Sequence, residues 1–308
     1  MVDSTRAMKL ADLAALLAIA ASVGCLTPHK NGASKSASRD TSTTSAKSQA
    51  NNEATAEALP EGDTPSGDEG PIAVPAGEFW MGAETPDKTH AAKHKVTLDA
   101  YEIDRYEVTA EEYAACVAKK SCTAARIGGQ CTFNDPSKKE HPINCVTWVQ
   151  ARSYCEYLGR RLPTEAEWER AARGNDARTF TWGEEWPPPK GAGNFSDENA
   201  KRAQPWVNAI EDYDDGYSYL APTGSYDASS PTGAEDMAGN VMEWTQDYWS
   251  AELGKAATKN PKGPPRGEGR VVRGSSYGHY RRAELAVTYR AGYREDVASE
   301  HLGFRCAK

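Results

Sequence analysis

Apolar and polar residues follow two different periods along this chain, and the change between them predicts a mixed fold. Short apolar pieces broken by glycine and proline fill residues 72–82, which favours a strand and a tight turn. Val96, Leu98 and Ala100 alternate with polar neighbours, so a second strand is expected over residues 95–103. The spacing then becomes helical.

Three segments carry the start signals of helices. Thr109 and Thr164 each stand three residues before a glutamate. In this spacing the threonine hydroxyl can accept a hydrogen bond from the backbone amide of the glutamate, and the glutamate carboxylate can accept one from the backbone amide of the threonine. Thr147 offers a hydroxyl cap for the helix between them, and Gly159 and Gly174 mark the ends of the last two. The faces expected to point inward carry Tyr113 and Val117, then Ala151, Tyr154, Cys155 and Leu158, then Trp168, Ala171 and Ala172.

After Gly174 the chain is rich in glycine, proline, asparagine and aspartate and has no long periodic segment. Irregular backbone of this length is unusual in a compact domain unless cross-links or bound ions hold it in place, and disulfides and bound calcium are the candidates. No repeat of 20–50 residues is visible.

The first 70 residues differ in composition from the rest. An apolar run over residues 10–23 follows Arg6 and Lys9 and ends at Gly24-Cys25, which is typical of a secretion signal and shorter than the roughly 20 residues of a membrane-spanning helix. We expect a signal peptide over residues 1–25 of the bacterial lipoprotein type, with lipid attached to Cys25. Ordinary export with cleavage and a retained anchor are the alternatives.

Residues 26–70 consist mainly of small, polar and charged residues and cannot bury enough apolar surface to offset the entropy of ordering. We interpret this segment as a disordered tether. All eight Trp, 14 Tyr and five Phe lie beyond it, which predicts a single domain over residues 71–308. The chain is therefore expected in the bacterial cell envelope, as an outer-membrane or periplasmic lipoprotein.

Charge and cysteine content narrow the function classes. A formal net charge of −8 and a pI near 5.4 argue against nucleic acid or an anionic surface as partner, since both need a basic footprint. Six cysteines remain beyond Cys25, an even number that favours disulfides in an exported chain. Zinc ligation by the four clustered ones is the alternative, although no C-x-x-C pair is present.

Four sequence motifs follow one another in the second half of the chain. They are Arg160–Glu169 (RRLPTEAEWE), Gly239–Thr245 (GNVMEWT), Val272–Tyr277 (VRGSSY) and Leu302–Cys306 (LGFRC). In this order they resemble formylglycine-generating enzymes, also called sulfatase-modifying factors, and the similarity extends from about Val74 to the C-terminus. The resemblance implies an α+β domain with little regular secondary structure, a variant of the C-type lectin fold.

The resemblance implies two calcium sites built from carboxylate, amide and backbone oxygens, which suit a hard cation. Asp236 stands where the family has asparagine, and the change keeps an oxygen donor. Ordinary loop and turn roles for these residues are the alternative. The implied ligands are Asn194, Phe195, Asp215 and Tyr217 at the first site, and Asp236, Gly239, Val241 and Glu243 at the second.

The resemblance also implies a disulfide between Cys155 and Cys306. The family's second disulfide cannot form, because Ala171 or Ala172 stands at its first cysteine. The remaining cysteines are then a local elaboration, for which we expect the pairs Cys116–Cys122 and Cys131–Cys145.

Catalytic members bind Cu(I) through two cysteines in the segment that here is Gly274–Thr288, which contains none. His279 occupies the first copper position and Glu284 falls at or next to the second. Neither side chain replaces a thiolate in a two-coordinate Cu(I) site, so no copper is expected. Ser276 matches the family's active-site serine, whereas Met242 replaces a tryptophan beside the oxygen site.

Iron-dependent relatives use three histidines. His90 and His94 could meet on a helix, but a solvated loop is the preferred interpretation. The arginines Arg281, Arg282, Arg290 and Arg294 are interpreted as a solvated or salt-bridged face, with binding of a peptide or acidic partner as the alternative.

Two functional hypotheses remain. The first is a lipid-anchored, calcium-stabilised module that binds a protein or peptide partner in the envelope. The second is an oxidoreductase with a non-cysteine metal site near His279, in which Ser276, His279 and Glu284 line the catalytic pocket. For His279 the plain alternative is a hydrogen-bonding role within a groove.

Overall fold

The computed structural model describes residues 70–226, 230–251 and 258–308. The expected signal peptide, the lipidation of Cys25 and all but Gly70 of the expected tether lie outside these residues. None of the helices within them is long and apolar enough to cross a membrane.

Short strands and short helices make up the domain, with long connections between them. The helices are α1 (Ala110–Ala118), α2 (Trp148–Tyr157), α3 (Glu165–Arg173) and α4 (Glu198–Ala203). The strands are β1 (Ile72–Val74), β2 (Gly77–Met81), β3 (His94–Leu98), β4 (Tyr101–Ile103), β5 (Met242–Tyr248), β6 (Thr258–Lys259), β7 (Arg270–Arg273), β8 (Arg290–Tyr293) and β9 (Leu302–Gly303). The expected α+β class with little regular structure is confirmed.

Three small sheets are formed. β1 pairs with β4, β3 lies between β2 and β6, and a four-stranded sheet has the order β8-β7-β5-β9. In the last sheet, β5 runs antiparallel to β7 and parallel to β9, so Met242 lies opposite Leu302. This pairing brings the C-terminal segment beside the centre of the chain.

Two sequence predictions need correction in these sheets. Residues 95–103 do not form one strand, because Asp99 and Ala100 are exposed and the chain leaves β3 for a different sheet at β4. Residues 72–82 likewise form two strands that belong to separate sheets. Alternation alone does not reveal a strand that changes sheets.

The three predicted helices are present with their predicted caps. The Thr109, Thr147 and Thr164 hydroxyls each accept the backbone amide three residues on, and the side chains of Glu112, Gln150 and Glu167 return the bond. Leu158 is an exception to the predicted inward face, since α2 ends at Tyr157 and Leu158 is 45% exposed.

Helix α3 is buried along its whole length, charged residues included. The carboxylates of Glu165 and Glu169 are paired with arginines of the adjacent sheet, and Glu167 is paired with Arg161. Arg290 Nε lies 2.6 Å from Glu165 Oε1, and Arg273 Nη2 lies 2.6 Å from Glu169 Oε2. Of the two predicted alternatives for Arg290, a solvated or a salt-bridged residue, the structure shows the salt-bridged one, whereas Arg281, Arg282 and Arg294 are exposed.

The described cysteines form three disulfides, which confirms the expectation of disulfide bonding. They join Cys116 to Cys122, Cys131 to Cys145, and Cys155 to Cys306. The last connects α2 to the C-terminal segment within the main core, where Tyr113, Tyr154 and Phe304 pack together.

Candidate functional site

A cavity of about 650 Å³ opens at the edge of the four-stranded sheet, where β5 and β9 begin. One wall is the turn that follows β7, with Ser276 and His279, and another is the segment that enters β9. A third part of the lining comes from α4 and the segment after it, including Trp206 and Tyr219. The volume is in the range of small-molecule or peptide-subsite pockets.

Two imidazoles flank the hydroxyl of Ser276 in this cavity. Ser276 Oγ lies 3.1 Å from Nδ1 of His279 and 3.2 Å from Nδ1 of His301. The amide of Gly278 also donates to this oxygen, at 3.4 Å. Ser276 is therefore held by neighbours on the same turn and by His301, which immediately precedes β9.

The hydrogen bonds define which nitrogens carry protons. The backbone amide of Ser276 donates to Nδ1 of His279 at 2.9 Å, so this nitrogen is an acceptor. With that lone pair taken, Nδ1 of His301 is the available acceptor for the Ser276 hydroxyl. The turn itself is closed by the amide of His279, which donates to the Ser276 carbonyl at 2.9 Å.

Burial keeps both imidazoles neutral near pH 7. Burial lowers the pKa of His279 to about 4, aided by His301 and Arg281 and opposed by Glu284. Burial also lowers the pKa of His301, against the opposing effect of Glu300. A neutral imidazole can accept a hydrogen bond or ligate a metal through its unprotonated nitrogen. A protonated imidazole can do neither, because both of its ring nitrogens are then donors.

Of the three predicted catalytic candidates, Ser276 and His279 meet in the cavity and Glu284 does not line it. Glu284 instead accepts from Arg281, with its Oε1 2.9 Å from Nη1. The two residues are three positions apart in one turn, and their ion pair holds the carboxylate outside the cavity lining. Met242 lies in the lining, as its alignment with the oxygen site implied.

His301 was missed by the sequence analysis. It belongs to the site because β9 pairs with β5, and the amide of Met242 donates to the His301 carbonyl at 2.8 Å. The only signal in the sequence is that His301 immediately precedes the Leu302–Cys306 motif.

The first expected calcium set comes together, and its donors fit a hard cation. Oδ1 of Asn194 is buried without a hydrogen-bond partner among the described residues. Asp215 is close by, since its Oδ2 accepts the amide of Phe195 at 2.8 Å and its Oδ1 accepts the amide of Tyr217 at 2.9 Å. Burial raises the pKa of Asp215 to about 7, so a cation would relieve a buried carboxylate.

The second expected set is more heavily committed to protein contacts. Both oxygens of Glu243 accept from the buried Arg305, and Oε2 also accepts from Trp168 Nε1 at 2.9 Å. Asp236 accepts the amide of Gly224 at 2.6 Å, and burial raises its pKa to about 6. The donor types still suit calcium, but Glu243 would have to share its oxygens with Arg305.

Gly239 connects the two sets. Its φ is +89°, and a Cβ there would meet the Asn194 carbonyl oxygen at 2.1 Å. Asn194 and Gly239 form a parallel bridge, so the backbone of one set lies directly against the other. Only glycine permits this approach.

Within the described ranges, no three histidine, cysteine, aspartate or glutamate side chains form a metal-binding group. His90 and His94 do not meet on a helix: His94 begins β3, and His90 forms a bridge to Tyr289. His90 is buried, with Nδ1 3.0 Å from Asp87 Oδ1 and Nε2 3.1 Å from the Ala283 carbonyl. The preferred interpretation of His90 as a solvated residue is therefore wrong.

The fold and this cavity define a domain of the formylglycine-generating type without a thiol in its site. Residues 56–308 match the sulfatase-modifying factor enzyme 1-like domain family, and the chain belongs to that family.

Known proteins agree with this assignment. The formylglycine-generating enzyme of Bos taurus is 31% identical, covering 82% of this chain and 79% of the bovine one. The "Inactive C-alpha-formylglycine-generating enzyme 2" of Mus musculus is 29% identical, over 77% of this chain and 84% of the mouse one. The structure of PvdO from Pseudomonas aeruginosa superposes with a TM-score of 0.62 at 24% identity, covering 77% of this chain and 93% of PvdO, and so shows the shared fold.

Proposed function

We propose that this chain is an exported, lipid-anchored binding module that keeps the family scaffold and holds a protein or peptide partner in the cavity around Ser276. The observation that carries the proposal is the chemistry of that cavity. Its lining contains two imidazoles and a serine, and every cysteine in the described ranges is in a disulfide. A pair of thiolates for Cu(I) therefore has no source there.

Three further points support the proposal. The N-terminal residues have the pattern of a lipoprotein signal, which accounts for the export and anchoring in the proposal. The donors of Asn194 and Asp215 suit a structural calcium that would brace the loops around the cavity. A mouse relative of similar length carries the word inactive in its name.

A second candidate is an oxidoreductase with a non-cysteine metal. The convergence of His279 and His301 on Ser276 favours it, because neutral imidazoles are common ligands of transition metals. Function follows from the site rather than from the scaffold, so the two candidates are separated by what the cavity binds.

Elemental analysis tests both candidates. The purified full chain and its His279→Ala variant are dialysed and measured for calcium and for first-row transition metals. The binding module predicts calcium in both proteins and no stoichiometric transition metal. A transition metal present at one equivalent in the wild type and lost in His279→Ala would refute the module and establish the second candidate.

A further inference from the structure

A second compartment adjoins the cavity and does not include Trp206 in its lining. It has a volume of about 480 Å³ and is lined by the loop Arg126–Gly129, the Cys131–Cys145 disulfide and residues 298–301. Gly129, Ser299, Glu300 and His301 line both spaces. The two compartments therefore meet along Glu300 and His301.

The second compartment is built by the disulfide-bonded segment that the sequence analysis identified as a local elaboration. The Cys131–Cys145 disulfide forms part of its wall, directly after the loop Arg126–Gly129 in the chain. Nδ2 of Asn144 donates to the carbonyls of Gln130 at 3.0 Å and of Glu300 at 2.8 Å, and the amide of Cys145 donates to the Ser299 carbonyl at 3.0 Å. These bonds fix the loop against the strand entry, so the compartment is a preformed feature.

The first compartment offers one formal charge. Glu300 is its only acidic lining residue, and none of the described residues that line it is a lysine or an arginine. The side chain of Glu300 is 44% exposed, and its Oε1 lies 3.9 Å from Nε2 of His301, which is neutral near pH 7. The space beside Glu300 therefore favours a basic group and disfavours an anion.

Aromatic rings line the same compartment as this carboxylate. Tyr219 and Tyr277 lie edge to face with centroids 6.1 Å apart, and Tyr277 lies 4.6 Å from the ring of His301. Aromatic faces attract ammonium and guanidinium groups and pack against their aliphatic stems. The rings and Glu300 thus both favour a ligand that carries an ammonium or guanidinium group.

Each compartment has an exposed apolar side chain in its lining. Trp206 is 79% exposed in the first, and Ile127 is 67% exposed in the second. They are the two most exposed large apolar residues in the described part of the chain. Exposed apolar residues at a concave site are typical anchors for a partner.

The second compartment contains one cation. Arg126 lines it and has no ion pair among the described residues. A ligand that crosses from one compartment to the other would therefore present a basic group near Glu300 and an acceptor, carboxylate or carbonyl, near Arg126.

We propose that the two compartments form one groove for an extended peptide segment, with a lysine or arginine side chain beside Glu300 and apolar side chains against Trp206 and Ile127. A free amine would not span both compartments, and an acidic peptide would be repelled by Glu300. The inference rests on the proposed function and adds to it the composition of the partner and the role of the loop Arg126–Gly129.

The test uses the full chain and a phage-displayed library of random heptapeptides. The most enriched peptide is synthesised with a fluorophore, and its Kd is measured by polarisation. The variants are Glu300→Gln, Ile127→Ala and Trp206→Ala. Glu156→Gln and Val149→Ala are matched controls, because they remove the same kinds of group from the exposed side of α2.

The expected peptide contains a lysine or arginine flanked by apolar residues. Loss of a charge-assisted bond predicts a Kd about tenfold higher for Glu300→Gln. Loss of an apolar anchor predicts about a fivefold rise for Ile127→Ala and for Trp206→Ala. The controls should stay within about twofold of the wild type.

Other outcomes distinguish a failure of the extended groove from a failure of the proposed binding module. Binding that depends on Trp206 but is unchanged by both Glu300→Gln and Ile127→Ala would overturn the extended groove and leave the proposed module in place. A library without any enriched peptide, or a peptide indifferent to all three substitutions, would overturn both. Enriched acidic peptides would overturn the assigned composition.

Discussion

Nδ1 of His301 lies 3.2 Å from the hydroxyl oxygen of Ser276, although the residues are 25 positions apart. Ser276 is on the turn after β7 and His301 leads into β9, two strands that lie on either side of β5. The cavity is therefore assembled by the sheet and not by one contiguous motif. Disturbing the packing of β9 should affect the site as directly as a change at Ser276.

The low pKa of His279 predicts a loss of stability in mild acid. Its folded pKa is about 4, below the ordinary value of 6.5, so between these values the unfolded chain takes up a proton that the folded chain does not. This contribution is fully present above pH 6.5 and is lost as the pH falls toward 4. We expect the free energy of unfolding to fall less between pH 7 and pH 5 in His279→Gln than in the wild type.

Urea unfolding at both pH values measures this difference. His94→Gln is the control, since His94 begins β3 and does not line the cavity. Equal losses of stability in the wild type and in His279→Gln would contradict a neutral, buried His279.

Removing calcium should destabilise the domain through the first set of donors. A ligand held at about 100 times its Kd stabilises by about 2.7 kcal/mol, which corresponds to roughly 5 °C or more in Tm for a domain of this size. We expect excess chelator to lower the Tm of the wild type by this amount. In Asn194→Ala the chelator-dependent shift should be much smaller, because Oδ1 of Asn194 is one of the donors.

Asn175→Ala is the matched control, since Asn175 is exposed and outside both sets. It should keep the full chelator-dependent shift. A wild-type Tm that is the same with calcium and with chelator would exclude the structural calcium.

Arg290 and Arg294, in or next to β8, allow the stability contribution of a buried ion pair to be compared with that of an exposed one. Arg290 is 1% exposed and paired with Glu165, whereas Arg294 pairs with Asp296 at the surface. Arg290→Met should cost about 3 to 5 kcal/mol, because it leaves a carboxylate buried without its main partner. Arg294→Met should cost less than about 1 kcal/mol.

Chemical denaturation of both variants checks this prediction. Similar losses would show that Arg273, 3.4 Å from Glu165, compensates for the missing guanidinium.

The disulfides should differ in their contributions to stability. Cys155–Cys306 closes 151 residues and Cys116–Cys122 closes six, so chain entropy predicts about 5 and about 2 kcal/mol respectively. Replacing both cysteines of each pair with alanine and comparing urea midpoints tests the order. A larger loss from the short loop would show that local packing, rather than loop closure, dominates.

Parts of this architecture follow from the sequence because their causes are local. A threonine and a residue three positions later cap a helix without help from the rest of the chain, so α1, α2 and α3 were located by their first residues. The strands were harder, because β3 and β4 are consecutive in sequence and belong to different sheets. Pairing partners, which are distant in the chain, decide where a strand ends.

The candidate site likewise contains some residues that the local sequence could predict and others that only long-range pairing brings there. Ser276 and His279 are three residues apart in one turn and could be recognised together. Glu284 was predicted beside them and is held by Arg281, while His301 was missed because only its pairing with β5 places it there. Glu300 and Ile127 gained their proposed roles from the meeting of two compartments.

By itself the sequence determined the family, the helix starts and the absence of thiols from the segment after β7, since these depend on residue identity and short spacing. The tertiary structure alone decided which imidazole reaches Ser276, that α3 and Arg290 are buried, and that residues 126–129 line a space shared with Glu300 and His301. These features depend on contacts between distant segments. Long-range contacts arise from the packing of the whole domain, which short-range patterns do not encode.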